Sequence, residues 1–425
     1  MRATFTLARW APGLKALLAY KRADALPDLK AGLAVAAVSV PVAVAYAELA
    51  GFGPEVGLYS CLLPLIAYAV FGSSRQLILG PDAATCAVIA ASVTPLAGGD
   101  AATYATLSGA LALMAGLICI AASFLRLGAL ADFLSKPILV GFLNGIAVTI
   151  VLGQLGKVFG VDLAASGAVA TVIELVSRIT ETHLPTFLIA LGAFAVFLLS
   201  ERLLPAVPAA ISAMAATALA VAVLSLDAHG VKILGAVPAG LPGFAFPSVD
   251  PALFPPLVAD AAGLALVSFS SLMLTSRSFA SKNRYEVDAD QDFAALGIAN
   301  ITSALSHGFA ISGADSRTAM GDATGGPSHG TGLVAAAAIA FVLLFLTAPM
   351  AYVPAAELGA VLVFAGLSLV DLRTLAFIWR ADQAEAGISL LATAGVIGFG
   401  AVQGILIAGI RSEEHTSELQ SPYVI

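Results

Sequence analysis

Charged residues are scarce in this chain. Asp, Glu, Lys and Arg make up 11% of the 425 residues, whereas 59% are hydrophobic and the mean hydropathy is +0.96. A water-soluble globular domain has about 25% charged residues, so this chain lacks the polar surface that would cover its core in water. The composition excludes a soluble enzyme and predicts a polytopic α-helical protein within a lipid bilayer.

Cysteine and catalytic motifs are also sparse. The three cysteines, Cys61, Cys86 and Cys119, lie in apolar sequence, which favours buried small side chains over a disulfide or a metal site. The five histidines show no metal-ligand spacing. No Gly-x-Ser-x-Gly motif with a paired histidine, no HExxH motif and no Walker loop occurs. We therefore expect neither an enzyme nor an ATPase, and neither a cofactor nor a nucleic-acid partner.

Basic residues are unevenly distributed between the two sides predicted for the membrane. Fifteen of the 20 Lys and Arg fall on one side, six of them before the first span, while Lys157, Arg178 and Lys232 fall on the other. The positive-inside rule then predicts a multi-pass protein of the cytoplasmic (inner) membrane with a cytoplasmic N-terminus.

Two hexapeptides, one in each half of the chain, share the pattern G-x-D-x-x-T. They are Gly80–Thr85 and Gly313–Thr318, and each follows a short apolar run and precedes a segment that could be helical. Extended backbone that leads into a helix N-terminus, placed twice inside a membrane, is how transporters build an anion site near the bilayer midplane. The second copy also carries Arg317, and a charge within a membrane segment is usually functional.

Further motifs follow along the chain in a specific order. They are Asp28–Gly32, Val40–Ala47, Gly57–Tyr59, Phe71–Arg75, Gly80-Pro81, Lys136-Pro137, Gly141-Phe142, Ala295–Asn300 and Ser316–Ala319. In this order and spacing, the chain between about residues 24 and 410 resembles the sulfate permease (SulP) family of anion transporters. The resemblance implies an all-α fold of fourteen spans in two inverted seven-helix repeats. It also implies a core domain that moves against a gate domain, and short broken segments before spans 3 and 10.

The resemblance also sets the expected organisation of the chain. We expect an N-terminal segment at 1–27, spans 1–7 at 28–226, an outer connection at 227–256, and spans 8–14 at 257–410. The polar tail at 411–425 is interpreted as adapter-derived sequence, although composition alone would also allow a disordered native tail. We accordingly expect the last span to be cut short and the STAS domain of the family to be missing. The charged stretch Arg277–Asp292 is predicted to be a solvated loop between spans 8 and 9.

The two hexapeptides supply most of the candidate anion site. The resemblance places Ser316 and Arg317 in the site at the start of span 10, and Tyr46 where relatives have a pocket aromatic. Each residue also has a structural interpretation: an ion pair with Glu48 or Asp82 for Arg317, helix-interface packing for Tyr46, and helix capping for Ser316 or Thr318. Asp315 is interpreted mainly as a cap. The predicted substrate-binding residues are Tyr46, Asp82, Ala83, Ala314, Asp315, Ser316, Arg317 and Thr318.

Two acidic residues are candidate proton carriers. An ionised Asp82 would repel an anion, and burial disfavours a charged carboxylate, so Asp82 could bind a proton as the anion binds; it could equally cap span 3. Glu48, at the outer end of span 1, could carry a proton, face water or pair with Arg317. Ser271 stands where many relatives have an acid that, in sodium-coupled bicarbonate members, helps to coordinate the cation. Its presence argues against sodium coupling.

These features predict a secondary active transporter of a small inorganic or carboxylate anion, with proton symport by an elevator-like movement as the favoured mechanism. The titratable Asp82 and the missing acid at Ser271 favour a carboxylate-type anion carried with protons, while sulfate, bicarbonate, chloride and dicarboxylates all stay open. An anion exchanger, an anion channel on the same fold and sodium-coupled bicarbonate transport are the alternatives. A homodimer is also left open.

Overall fold

The protein is almost entirely helical. The computed structural model describes residues 10–128, 136–163, 167–204, 207–248 and 253–399. The predicted end of the last span and the tail at 411–425 lie outside these residues.

The first half of the chain contains nine of the described α-helices and one short strand. They are α1 Pro12–Leu18, α2 Ala25–Leu49, α3 Pro54–Phe71, β1 Leu79–Gly80, α4 Ala83–Ala97, α5 Ala101–Phe124, α6 Lys136–Phe159, α7 Ala168–Ser177, α8 Leu184–Leu203 and α9 Ala209–Leu224. Single 3-10 turns lie at Arg22–Asp24, Ile179–Glu181 and Leu226–His229.

The second half repeats this order of elements. The helices and the strand of the second half are α10 Phe254–Asn283, α11 Ala289–Leu305, β2 Ser312–Gly313, α12 Asp315–Ala323, α13 Gly330–Phe345, α14 Thr347–Met350, α15 Ala355–Leu369, α16 Leu372–Ala381 and α17 Gln383–Phe399. In both halves a long helix and a second helix precede a two-residue strand and a shortened helix. The helices α2 and α10 begin at Ala25 and Phe254, each three residues before the predicted repeat boundaries at 28 and 257; these boundaries stay predictions.

Helices of very different length cross the molecule. Among the described residues, seven helical segments are long and apolar enough to span a bilayer: Arg22–Leu49, Pro54–Phe71, Ala101–Phe124, Pro137–Phe159, Leu184–Leu203, Phe254–Asn283 and Ala355–Ala381. The shortened helices α4 and α12 have only 15 and nine residues, because an extended strand precedes each of them. Such broken helices are what the resemblance predicted before spans 3 and 10, and they place helix ends inside the protein.

The helices of the two halves interleave in two groups. In one group α11 packs on α3 and α5, and α13 packs on α2 and α3. In the other group α6 packs against α15 and α17, and α8 packs against α9. These groups correspond to the predicted core and gate, and each contains helices from both repeats.

Glycine allows close contact between helices of the core group. Gly116 on α5 and Gly297 on α11 face each other, and a Cβ on Gly116 would lie 2.7 Å from the carbonyl oxygen of Gly297. A Cβ on Gly297 would lie 2.6 Å from the carbonyl oxygen of Gly116. Small residues let helix backbones touch in a membrane protein, where packing rather than the exclusion of water holds helices together.

The stretch Arg277–Asp292 is mostly helical, so its prediction as a solvated loop was wrong. The helix α10 continues to Asn283 and α11 begins at Ala289. The Asp292 carboxylate is fully buried and accepts hydrogen bonds from the Tyr68 hydroxyl (3.0 Å), the Ser73 amide (2.9 Å) and the Ser276 hydroxyl (3.2 Å). A carboxylate in the first turn of a helix is favoured by the helix dipole, and here it also ties the two halves together.

Candidate anion site

The two strands bring two helix N-termini together inside the helical bundle. β1 and β2 pair antiparallel, with Leu79 opposite Gly313 and Gly80 opposite Ser312. Two further hydrogen bonds extend the contact: the Ala314 amide donates to the Ile78 carbonyl (2.9 Å), and the Ile78 amide donates to the Thr318 hydroxyl (3.0 Å). Because each strand leads directly into a short helix, the first turns of α4 and α12 lie on the same cavity.

Asp82 caps α4 and also lines the cavity. Its backbone is extended (φ −131°, ψ 166°), and its Oδ1 accepts a hydrogen bond from the Thr85 amide at 2.7 Å and another from the Thr85 hydroxyl. The cap uses one amide of the first turn. The amides of Ala83 and Ala84 belong to the same turn, where the helix itself supplies no acceptor, and both residues line the cavity.

Asp315 does not cap α12, so its interpretation as a cap was wrong. The helix begins at Asp315 itself, and the preceding Ala314 offers no side-chain cap. The Asp315 carboxylate instead accepts a hydrogen bond from the Thr275 hydroxyl on α10. The two hexapeptides thus differ by one residue in where the helix starts, because α4 begins one residue after Asp82. Capping therefore fixes Asp82 to its own helix, whereas Asp315 is held by a neighbouring helix.

Arg317 lies buried beneath the two strands. Its side chain is 1% exposed, Nη2 donates to the Pro81 carbonyl, Nη1 lies 3.7 Å from the Cys61 sulfur, and Nε has no hydrogen-bond partner. A side chain at Gly80 would collide with the guanidinium, which explains the glycine at this position. Within the part of the chain that the structure describes, Arg317 forms no ion pair with a carboxylate. The alternative interpretation of Arg317, an ion pair with Glu48 or Asp82, is therefore not observed.

A cavity of about 1190 Å³ connects these groups. Seven of the eight predicted substrate-binding residues line it: Tyr46, Asp82, Ala83, Ala314, Asp315, Ser316 and Arg317. Thr318 is the exception, since it is fully buried and its hydroxyl accepts the Ile78 amide behind the cavity wall. Its hydroxyl therefore joins helix α12 to the segment before β1.

The cavity extends towards the side on which α2 begins. Its walls include Ala34 in the first half of α2, Glu201 in the last turn of α8, Pro208 just before α9 and Phe279 near the end of α10. These residues all belong to the side predicted to be cytoplasmic. Tyr46, near the last turn of α2, lies at the opposite end of the cavity, inside the protein. We call this the inner end of the cavity.

Glu48 lies away from the cavity. Its Oε1 is 2.9 Å from the Lys157 Nζ in the last turn of α6, and the ion pair is about one quarter exposed. Glu48 is therefore neither free in water nor paired with Arg317. Sequence reasoning had placed both residues on the same outer side, but it could not pair them, because they lie on different helices.

Two hydroxyl groups on α10, those of Thr275 and Ser278, were missed as part of the site, whereas Ser271 on the same helix was named only for the acid that it replaces. Ser271, Thr275 and Ser278 all line the cavity, and Thr275 holds Asp315. Their spacing of four and three residues puts them on one helix face, so the sequence did contain the signal. Among the described residues, no group of three or more His, Cys, Asp or Glu could hold a metal ion.

Comparisons with known proteins agree on one family. The model of the "Sulfate permease family" matches residues 26–392. A probable sulfate transporter of Mycobacterium tuberculosis is 40% identical over 405 residues, which covers 95% of this chain and 72% of that protein. The probable sulfate transporter 4.2 of Arabidopsis thaliana is 33% identical over 389 residues, and the chain spans only 57% of the plant protein.

Solved structures share the fold. Murine Slc26a9, an anion transporter solved in the inward-facing state, superposes with a TM-score of 0.90 at 24% identity, covering 98% of this chain and 72% of that one. The transmembrane domain of the cyanobacterial bicarbonate transporter BicA gives a TM-score of 0.78 at 24% identity, covering 92% and 98%. The predicted all-α inverted-repeat fold is thereby confirmed. The chain is a multi-pass membrane protein of the sulfate permease family of anion transporters, and not an enzyme.

Proposed function

We propose that this protein moves a small inorganic anion across the cytoplasmic membrane together with protons, with sulfate as the first candidate. The observation that carries this proposal is the meeting, on one cavity, of two helix N-termini, a buried arginine and two carboxylates. The proposed movement is that of the core against the gate, with the N-terminus in the cytoplasm.

Positive potential at the inner end of the cavity favours an anion. The first turns of α4 and α12 offer amide groups without acceptors in their own helices, and helix dipoles add to this potential. Arg317 supplies a full positive charge that no described carboxylate neutralises by direct pairing. A low-dielectric surrounding strengthens each of these interactions. The geometry therefore supports binding of an anion between the two helix ends.

The charge balance of the cavity supports proton coupling. Against the single Arg317 stand Asp82 and Asp315, which repel each other, and Glu201 nearer the mouth. If all of these carboxylates were ionised, a dianion would enter a site with net negative charge. Uptake of a proton by Asp82 or Asp315 weakens that repulsion, so proton and anion bind together more readily than either binds alone.

Asp82 is the preferred carrier within this pair. The hydrogen bonds that Asp82 accepts from the Thr85 hydroxyl and amide stabilise its charged carboxylate. Protonation of Asp82 would therefore loosen the cap of α4 as well as neutralise the site. Asp315 has one hydroxyl partner, Thr275, and could share the role. Glu48 is not required in the pocket, because Lys157 already neutralises it.

The names of the relatives support sulfate as the substrate, since the mycobacterial and plant proteins are both described as probable sulfate transporters. A carboxylate-type anion, which the sequence favoured, fits the same charge logic and serves as the competing substrate. Bicarbonate carried with sodium is disfavoured by Ser271, a neutral residue on the cavity wall.

Transport by the purified full-length protein in liposomes tests the proposal. Labelled sulfate uptake is measured with an inward proton gradient, with an inward sodium gradient and with neither, and unlabelled bicarbonate or succinate is added as a competitor. We expect the proton gradient to drive accumulation above equilibrium and the sodium gradient to have no effect. Exchange that ignores both gradients would favour an exchanger, and currents far above carrier turnover would favour a channel.

A further inference from the structure

A buried glutamate lies on the gate, outside the anion pocket. Glu357, in the first turn of α15, has an exposed fraction of 0%, and neither of its carboxylate oxygens has a hydrogen-bond partner. A buried ionised carboxylate without a partner is strongly unfavourable. Its presence here calls for a physical explanation that packing alone does not give.

Glu357 belongs to a cluster that joins the core to the gate. Glu48, on the core helix α2, is its like-charged neighbour, and Glu48 in turn forms the 2.9 Å ion pair with Lys157 on the gate helix α6. The start of α15 is packed closely on the end of α6, since a Cβ on Gly359 would lie 3.3 Å from the Lys157 Cβ. We call these three side chains the Glu48–Lys157–Glu357 cluster.

The cluster lies beyond the inner end of the cavity, where Tyr46 is located. Val361, Ala365 and Ser368 on α15 line the cavity, and their spacing of four and three residues puts them on one helix face. Glu357 lies four residues before Val361, so it continues that face by one turn, away from the cavity mouth. The face of the gate that meets the moving core therefore ends in a carboxyl group.

The charges around Glu357 do not balance if it is ionised. The helices packed on α15 are α2, α6, α8 and α9. α2 presents Glu48 and α6 presents Lys157, whereas α9 carries no titratable side chain. The charged residues of α8, Glu201 and Arg202, lie in its last turn, on the side of the cavity mouth. The segment between α9 and α10 adds Lys232, whose carbonyl accepts the Ala355 amide, but its ammonium group lies 2.5 Å from the Asp162 carboxylate. The Lys157 ammonium group is thus left to serve both Glu48 and Glu357, and it binds Glu48.

We propose that Glu357 is a proton-binding site, separate from the anion pocket, whose proton is held while core and gate are in contact at the Glu48–Lys157 pair. In this state Glu357 is a neutral carboxylic acid. When the core moves and Glu48 leaves Lys157, the ammonium group becomes available to Glu357, whose O–H bond breaks and whose proton passes to water. No other bond changes. The coupling to movement rests on the proposed transport function, whereas the protonation of Glu357 does not.

Infrared spectroscopy of the full-length protein at neutral pH tests the protonation directly. A protonated carboxyl group has a C=O stretching band that a carboxylate lacks. We expect this band in the anion-free wild type, a lower band intensity in Glu357→Gln, and an unchanged intensity in Glu385→Gln, which changes an exposed glutamate on α17. An identical spectrum in this region for Glu357→Gln and the wild type would overturn the proposal.

Proton and sulfate fluxes in liposomes test the coupling to movement. In Glu357→Gln we expect sulfate–sulfate exchange to persist while the number of protons that enter with each sulfate falls by one. An unchanged proton-to-sulfate ratio would overturn the coupling. If the wild type carries no sulfate or competing anion, the proposed function fails and the coupling falls with it, while the infrared result still decides whether Glu357 holds a proton.

Discussion

Replacement of Arg317 by glutamine removes the only full positive charge at the inner end of the cavity among the described residues. Because the side chain is 1% exposed, the guanidinium acts on the anion largely through the cavity wall rather than by broad contact. At an effective dielectric constant of about 20, two unit charges about 4–8 Å apart attract each other by about 2–4 kcal/mol. Since 1.4 kcal/mol corresponds to about a factor of ten in affinity, we expect sulfate to bind roughly 30- to 1,000-fold more weakly to Arg317→Gln.

Isothermal titration of sulfate into the purified protein measures this loss, with size-exclusion chromatography as the check on folding. Arg317→Lys keeps the charge and should lose much less affinity than Arg317→Gln. Arg284→Gln is the control, because Arg284 is exposed in the loop after α10 and its charge lies outside the cavity. A folded Arg317→Gln protein that binds sulfate within about threefold of the wild type would refute the electrostatic role of Arg317.

Two predictions concern stability. Gly116→Val should lower the thermal midpoint of unfolding, because its side chain would meet the Gly297 backbone and overpacking typically costs about 1–3 kcal/mol. Gly192→Val, in open space on α8, should change the midpoint little. Equal midpoints for the two variants would contradict the packing argument. Asp292→Asn should lower the free energy of unfolding by about 1–3 kcal/mol, and with it the midpoint, since an amide cannot accept all three hydrogen bonds. Exposed Asp227→Asn is the comparison, and a similar midpoint for both would count against a structural role of Asp292.

The membrane fold could be predicted from the sequence, and the residues of the candidate anion site could be named from it, because both depend on strong local signals. Apolar composition leaves a membrane as the only suitable solvent. The repeated G-x-D-x-x-T pattern marks two breaks in helices, and the structure pairs these breaks as β1 and β2, with Gly80 opposite Ser312. Arg317 lies next to such a break, and it could be named as a candidate site residue because a charge within a membrane segment is usually functional.

The predictions that were wrong, and the features that sequence reasoning missed, depend on packing between distant segments. Asp315 differs from Asp82 because α12 begins one residue earlier within its hexapeptide, a shift that the pattern does not encode. Glu48 pairs with Lys157 on another helix, and the sequence gives no distance between them. Glu357 reads in the sequence as an ordinary acid in the first turn of a helix; its burial follows from the helices packed around it.

Proton movement during sulfate entry is the most direct test of proton-coupled transport by this protein. Liposomes that contain the full-length protein and a trapped pH indicator receive external sulfate with no pH gradient imposed beforehand. We predict that the lumen acidifies as sulfate enters through the wild type, and that Asp82→Asn admits sulfate with less acidification. Entry of sulfate through the wild type with no acidification of the lumen would contradict proton-coupled transport.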